Sequence, residues 1–245
     1  MNKIYTETFT VRATDCDVNM RMRPAALFLA MQEGGQYHAS LLGLSHNEML
    51  DRGMFFVLAR INVHFDRAPR FGEKVVHTTW PGVNNRFFCP RYHIFTLEDG
   101  TPLATAGALW VILDVNQRKI VSPKASQLPF PDNSDVPAPI DLPTRLPQMG
   151  PETQSFIQTP VYSDYDINGH VNNTRYIGWL CDALGNSVLA DHYLCDLTAG
   201  YEKEIRTDDP LRISLSREGE RFTFLVSSEN GDKHFAAGGT LQKEA

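Results

Sequence analysis

Val161-Tyr-Ser-Asp-Tyr-Asp-Ile-Asn-Gly-His-Val-Asn172 lies without a gap over Arg12-Ala-Thr-Asp-Cys-Asp-Val-Asn-Met-Arg-Met-Arg23. Asp164 falls on Asp15, Asp166 on Asp17, Asn168 on Asn19 and Ile167 on Val18. The same register carries Ile177 onto Phe28 and Leu180 onto Met31, apolar positions of the segments that follow each loop. Further on, Val63-His-Phe-Asp-Arg-Ala-Pro-Arg-Phe-Gly-Glu-Lys-Val75 resembles Ala199-Gly-Tyr-Glu-Lys-Glu-Ile-Arg-Thr-Asp-Asp-Pro-Leu211, across a shortened connection. Between the copies, from Ser122 to Glu152, lie eight of the fifteen prolines. Proline fixes φ and lacks the backbone N–H, so this stretch is expected to form neither a regular helix nor an interior strand, and to run extended over a surface. The organisation expected is one unit over 1–121, a connector over 122–152 and a second unit over 153–245.

Each copy has the same local signals. After the D-x-D-[VI]-N loop, Pro24 stands at a plausible first helical position before Ala25 to Glu33, and Asn172 or Asn173 can cap Thr174 to Leu184. Leu27, Phe28 and Met31, like Ile177, Leu180, Cys181 and Leu184, recur at helical spacing and give each helix one apolar stripe. Strand material follows: Phe55 to Asp66, Glu73 to Trp80, Arg86 to Leu97, an Asp99-Gly100 turn, and Pro102 to Asp114. In the second copy the strands are Ala199 to Arg206, Leu211 to Arg217, Arg221 to Ser228, an Asn230-Gly231 turn, and His234 to Leu241. One helix beside an antiparallel sheet, twice over, is an α+β arrangement.

Composition narrows the function. At 245 residues, 42% hydrophobic and 21% charged, with mean hydropathy −0.29 and no apolar run of membrane-spanning length, the chain is neither disordered nor an integral helical membrane protein. Its net charge of −6 argues against broad nucleic-acid binding, which needs a clustered basic face. Met1 to Glu7 shows no signal-peptide pattern, so a cytoplasmic location is the default expectation. Cys16, Cys89, Cys181 and Cys195 are widely spaced and are read as reduced thiols. No nucleotide-binding glycine motif and no metal-ligand spacing is found among His38, His46, His64, His77, His93, His192 and His234, so neither cofactor nor metal is expected.

The two loops differ where chemistry is concerned. His170 stands where the first copy has Arg21, and Glu204 where it has Ala68. Imidazole exchanges a proton near neutral pH, whereas arginine stays charged, so one active site per chain is expected, in the second copy. Asn168 and His170, two apart in an extended loop, can face one reacting group. The helix beginning just after Val171 offers free N–H groups to a developing oxyanion.

Ser163-Asp-Tyr-Asp-Ile-Asn-Gly-His-Val-Asn-Asn-Thr-Arg-Tyr-Ile-Gly-Trp-Leu180 resembles the signature of the acyl-acyl carrier protein thioesterases of plant plastids and bacteria. Leu29-Ala-Met-Gln-Glu33, Arg60-Ile-Asn-Val-His-Phe-Asp-Arg67, Phe71-Gly-Glu73 and Ala108-Leu-Trp-Val-Ile112 extend the resemblance over nearly the whole chain. It implies a tandem (double) hotdog fold, with two long helices each wrapped by an antiparallel sheet. It also implies hydrolysis of the thioester between a fatty acyl chain and the phosphopantetheine arm of acyl carrier protein, ending fatty acid synthesis. The family's catalytic positions fall on Asp166, Asn168, His170 and Glu204, the last in the Tyr201-Glu-Lys-Glu204 context. Where some members carry a cysteine after that glutamate, this chain has Ile205, so water is the expected nucleophile. Cys181, on a helix stripe, is read as packing.

In this reading Glu204, assisted by His170, draws a proton from water, Asn168 and a backbone N–H hold the carbonyl oxygen, and Asp166 fixes the loop. Removing His170 or Glu204 is expected to cost at least about a hundredfold in kcat. Leu27, Met31, Phe55, Phe56, Val57 and Trp110 of the first unit are candidate walls of an acyl pocket. Arg21, Arg23, Lys203 and Arg206 are candidate docking residues for the acidic carrier. An acyl-coenzyme A substrate and a non-catalytic acyl-binding role are the alternatives, and further pairing of the chain into a homodimer stays open on sequence.

Overall fold

The computed structural model describes residues 3–244; Met1, Asn2 and Ala245, at the outer limits of the two expected units, lie outside the described residues. The first half runs β1 (Tyr5–Thr10), α1 (Pro24–Leu41), α2 (His46–Asp51), β2 (Met54–Phe65), β3 (Lys74–Pro81), β4 (Cys89–Leu97), β5 (Pro102–Asp114) and the short β6 (Ile120–Val121). After α3 (Pro123–Ser126) the second half runs β7 (Gln154–Gln158), α4 (Asn173–Leu184), α5 (Asn186–Leu189), β8 (His192–Tyr201), β9 (Leu211–Glu218), β10 (Arg221–Ser228) and β11 (Lys233–Lys243).

All eleven strands join one antiparallel sheet in the order β1-β3-β4-β5-β2-β8-β11-β10-β9-β7, with β6 beside β5. The order reads the same from both ends once each strand is replaced by its counterpart, so the halves meet edge to edge through β2 and β8. The register there is antiparallel, with Asn62 opposite Thr198. The alignment that places Val63 on Ala199 also places Asn62 on Thr198, so each faces its own counterpart. Thr198 Oγ1 donates to Asn62 Oδ1 at 2.8 Å across this point. An internal twofold axis therefore passes between these side chains, the self-complementary geometry of an isologous interface.

Both long helices lie on one face of the sheet. Strand alternation sends Ile61, Val63, Leu197, Ala199, Phe224 and Phe235 into one core with Leu27, Phe28, Met31, Tyr176, Ile177 and Leu180 from α1 and α4. A smaller core of Leu42, Leu44, Met49, Cys89, Ile112 and Leu128 closes the far end of α1. Helix α1 has eighteen residues and α4 twelve, so the helices are unequal, and α1 continues well past Glu33. It carries Gly34, whose absent side chain matters: a Cβ there would stand 2.5 Å from Glu7 Oε1 and 2.6 Å from His77.

Two sequence expectations need correction. The proline-rich stretch does contain a turn of helix, α3, because Pro123 occupies the first helical turn, where no N–H is missed, and Ser122 caps Ala125 N at 3.2 Å. Strand β8 begins at His192 and ends at Tyr201, so Glu204 belongs to the loop after it. Beyond α3 the connector crosses the sheet face opposite the helices. Asp141 and Thr144 accept through their carbonyls from Asn62 and Arg60 of β2. Leu146 lies over Gly200 of β8, Pro147 over Gly238 of β11, and Gly150 N donates to Thr223 of β10.

Candidate active site

The two loops that match in sequence also match in their backbone-to-backbone hydrogen bonds. Ala13–Asp15 and Tyr162–Asp164 each form a turn of 3-10 helix, and the bridges Cys16–Met22 and Tyr165–Val171 close each loop. Asp17 N donates to Arg21 O as Asp166 N does to His170 O, and Asn19 and Asn168 N–H groups donate to Asp17 and Asp166 Oδ1, each at 2.8 Å. Gly169 has φ +70°, a left-handed conformation suited to glycine, and Met20 holds φ +59° at the same place. The scaffold is thus kept in both halves, even at the strain of a methionine with positive φ.

On that scaffold the second loop presents Asp166 and His170. His170 Nδ1 lies 3.5 Å from Asp166 Oδ2 and 3.4 Å from Val171 O. Two acceptors at one ring nitrogen assign the hydrogen to Nδ1 and leave the Nε2 lone pair as the proton acceptor. Helix α4 starts directly behind, its Asn172 side chain capping Thr174 N at 2.9 Å.

Glu204 joins this loop through arginines. Arg206 grips its carboxylate with two bonds, Nε to Oε1 at 2.9 Å and Nη2 to Oε2 at 3.0 Å, and donates to Asn168 O at 3.4 Å. Arg118, from the turn between β5 and β6, adds Nη2 to Glu204 Oε1 at 3.0 Å. The Arg206 hydrogen bond above all, with the charges of Arg206, Arg118 and His170, holds the Glu204 carboxyl below its usual range against the opposing effect of burial. Asp166, Asn168, His170 and Glu204 are therefore brought into one network. Arg118 was not singled out by sequence reasoning, because nothing local to Asp114-Val-Asn-Gln-Arg118 indicates that this turn of the first half reaches the second half's glutamate.

In the first loop Arg21 is buried. It bonds Asp17 and Glu244, with further donation to the carbonyls of Leu189 and His192. A side chain this enclosed (3% exposed) is not a surface docking residue, which corrects one of the four expected positions. Lys203 is engaged by Asp232, while Arg23 and Arg206 are exposed. Burial pushes the Cys181 thiol up to about 12, so it is held as an unreactive thiol. His64, Cys195 and Asp196 lie within 4.8 Å of one another, a grouping of donor types that the β2 and β8 register creates and linear spacing conceals. His64 Nδ1 contacts Asp196 at 2.8 Å, and burial raises the Cys195 thiol above its ordinary value.

Two cavities related by the internal twofold flank the helices. The larger, about 300 Å3, adjoins the Arg21 loop and is lined by Pro24, Leu27, Phe65 and Leu194. The smaller, about 30 Å3, is lined by Asn173, Tyr201 and Leu58, the counterparts of Pro24, Phe65 and Leu194, together with Phe28, Met31 and Trp110. Of the expected pocket walls, Met31 and Trp110 line the cavity on the His170 side. Leu27 faces the other cavity, and Phe55, Phe56 and Val57 line neither. Phe56 instead packs edge-on against Phe130, with ring centroids 6.3 Å apart.

Comparison with known proteins gives two family matches along the chain. Residues 2–125 match the model of the acyl-ACP thioesterase N-terminal domain, and residues 151–243 that of the acyl-ACP thioesterase C-terminal domain. A chloroplastic acyl-(acyl-carrier-protein) hydrolase of Cuphea viscosissima is 26% identical over 245 residues, covering 93% of this chain and 60% of that protein. The chain spans about 60% of the length of this and two further curated relatives that it matches. The crystal structure of an acyl-ACP thioesterase from Bacteroides thetaiotaomicron superposes with TM-score 0.87 at 24% identity, covering 98% of both chains. The 12:0-ACP thioesterase from Umbellularia californica gives TM-score 0.85 at 23% identity, covering 100% of this chain and 99% of that one. Among the described residues no helix is long and apolar enough to cross a membrane.

Proposed function

Since this chain belongs to the acyl-ACP thioesterase family, we propose that it hydrolyses the thioester of a fatty acyl-acyl carrier protein, releasing a free fatty acid and the carrier's phosphopantetheine thiol. The fold in this reading is a tandem hotdog, its units joined across β2 and β8, with the catalytic loop in the second unit and the acyl chain received between α1 and the sheet of the first. The observation that carries the proposal is the contrast between matching loops: His170 beside Asp166 at 3.5 Å with Glu204 alongside, against Arg21 and Ala68 in the copy.

In this mechanism His170 Nε2 takes a proton from water as its oxygen attacks the thioester carbonyl. Asp166 holds the ring through Nδ1 and stabilises the imidazolium that forms. The side-chain amide of Asn168 donates to the carbonyl oxygen as it becomes negative. Collapse breaks the carbon–sulfur bond, and the imidazolium returns its proton to the departing thiolate. Glu204, kept ionised by its arginines, places a second negative charge near the imidazolium. Arg118 and Arg206, about half exposed at the mouth of this network, supply local positive charge for an acidic carrier on a chain of net charge −6.

A thiol-release assay on acyl carrier protein esters of graded length, with matched coenzyme A esters alongside, tests this. Turnover of the carrier-bound esters is expected, with kcat reduced at least about a hundredfold in His170→Ala. No release from any ester, or near-normal turnover by His170→Ala, would overturn it.

A further inference from the structure

The pairing between the halves runs from Arg60 opposite Gly200 to His64 opposite Asp196, and the internal twofold exchanges its two ends. Each end lies beside a bulge. The register of β2 with β5 passes over Ala59, and that of β8 with β11 passes over its counterpart Cys195. A bulge re-aims a side chain that would otherwise alternate. With Leu194 and Leu197 buried in the main core, Cys195 and Asp196 are both left to the outer face, where alternation also sends His64.

The two ends are filled differently. At the first, Arg60 donates to Thr144 O of the connector at 2.8 Å, and Leu146 covers Gly200. At the second, the counterparts of Ala59, Arg60 and Gly200 are Cys195, Asp196 and His64, and each brings a donor atom within 4.8 Å of the others. The side chains of His64 and Asp196 are 42% and 56% exposed there. The groups around them match those that orient a metal's ligands. A metal-bound imidazole gives its remaining N–H to a carboxylate or similar acceptor, and a metal-bound carboxylate is itself held by a donor. His64 directs Nδ1 at Asp196 Oδ1, 2.8 Å away, and Nε2 toward Asp66 Oδ1, 4.0 Å away. Asp196 Oδ2 accepts from Thr240 Oγ1 at 2.9 Å, which leaves Oδ1 for the cluster.

We propose that His64 Nδ1, Cys195 Sγ and Asp196 Oδ1 bind a divalent ion of the zinc class, which fastens β2 to β8 at the end of the seam opposite Leu146. A nitrogen, a sulfur and an oxygen together select zinc-like ions over calcium and magnesium, which take oxygen alone. On binding, the thiol proton leaves to solvent, thiolate and carboxylate balance the ion's two positive charges, and water takes the fourth position. Bonds of about 2.0–2.3 Å set tetrahedral ligands roughly 3.5 Å apart. The ion therefore parts His64 from Asp196 and draws the sulfur in, through rotation of partly exposed side chains. The site shares no residue with the catalytic loop, so it stands apart from the thioesterase reading.

The test titrates the reduced, chelator-treated, untagged chain with Co2+, followed by absorption, and then with Zn2+. A thiolate-to-cobalt charge-transfer band is expected, saturating at one ion per chain and lost as Zn2+ displaces Co2+. Cys195→Ser should abolish the band although Cys16, Cys89 and Cys181 remain. His64→Ala and Asp196→Asn should each weaken binding at least about tenfold. Zn2+ should also raise Tm in the native protein and leave Cys195→Ser unchanged, since an ion held only by the folded seam stabilises the fold. His64→Gln and Cys195→Ala repeat the comparison should either first variant fail to fold. A native protein without the band, a band that survives Cys195→Ser, or affinity unchanged in both His64→Ala and Asp196→Asn overturns the proposal.

Discussion

Glu204 occupies the position of the expected base, but its surroundings suit a different task. A carboxylate gripped by two arginines and held below its usual range is a weaker proton acceptor, whereas His170 has its Nδ1 hydrogen directed at Asp166 and a free lone pair opposite. The acid limb of kcat/KM should therefore not belong to Glu204. Protonating this carboxyl requires a pH below the ordinary carboxylate range, so Glu204 stays ionised through neutral and mildly acidic pH. In Glu204→Gln, kcat/KM is expected to fall while an acid limb persists, measured from pH 5 to 8; disappearance of that limb would make Glu204 the base after all. At this scale the sequence was most readable within one loop. Asp166, Asn168 and His170 are neighbours in the chain, and the parallel loop with Arg21 isolates the one position where the chemistry changes. The Arg118 contact, from 86 residues away, is set by the path of β5 and has no local signature.

Helix α1 shows how an element can be located from sequence and still be incompletely understood. Its stripe of Leu27, Phe28 and Met31 is clear, but Gly34 and Gly35 suggest an ending, because glycine weakens a helix interior by about 1 kcal/mol. The helix continues because those glycines let it close over Glu7, His77 and Arg91, a polar layer assembled from β1, β3 and β4. Strand periodicity marks His77 and His93 as inward-facing without indicating that they meet. That layer makes stability depend on pH. The groups facing the two rings are Glu7, Tyr5 and Arg91, with His38 bonded to Arg91 across the layer. Both imidazoles are lowered in the fold, so the unfolded chain binds protons first as pH drops below about 6.5, and stability is lost in that direction. His93, held well below its ordinary value by burial, keeps losing in this way as the pH falls further through the mildly acidic range. Glu7 is lowered too, so its own contribution is lost only at still more acidic pH. Thermal melts between pH 7.5 and 5.5 should show Tm falling in the native protein and a flatter profile in His93→Phe; equal slopes would refute the assignment.

For the whole molecule, the proline count indicates a connector, and the repeat indicates two matching halves, but neither shows how a sheet of this width is covered on its second face. The helices protect the face bearing Ile61 and Leu197; the other presents Asn62, Thr198, Gly107, Gly200 and Gly238, and the connector lies along it. Such glycines are easily read as weak points in strands, since glycine there loses packing and entropy. Here they are the channel in which the connector sits. A Cβ on Gly200 would stand 2.4 Å from Leu146 Cδ1, and one on Gly238 would stand 2.7 Å from Pro147 Cβ. Gly200 is two residues from Thr198 on the internal axis, so the connector passes close to the seam between the halves. Gly200→Ala should therefore destabilise by roughly 1–3 kcal/mol through overpacking. The clash is with a side chain, so Leu146→Ala should cost stability alone yet restore much of it in the double variant. Chemical denaturation of the four proteins gives the coupling directly, and a favourable interaction of about 1 kcal/mol or more is expected for residues in contact. Additive effects would mean that the connector does not bear on β8, and that the seam is held by the β2 and β8 pairing and the helices alone.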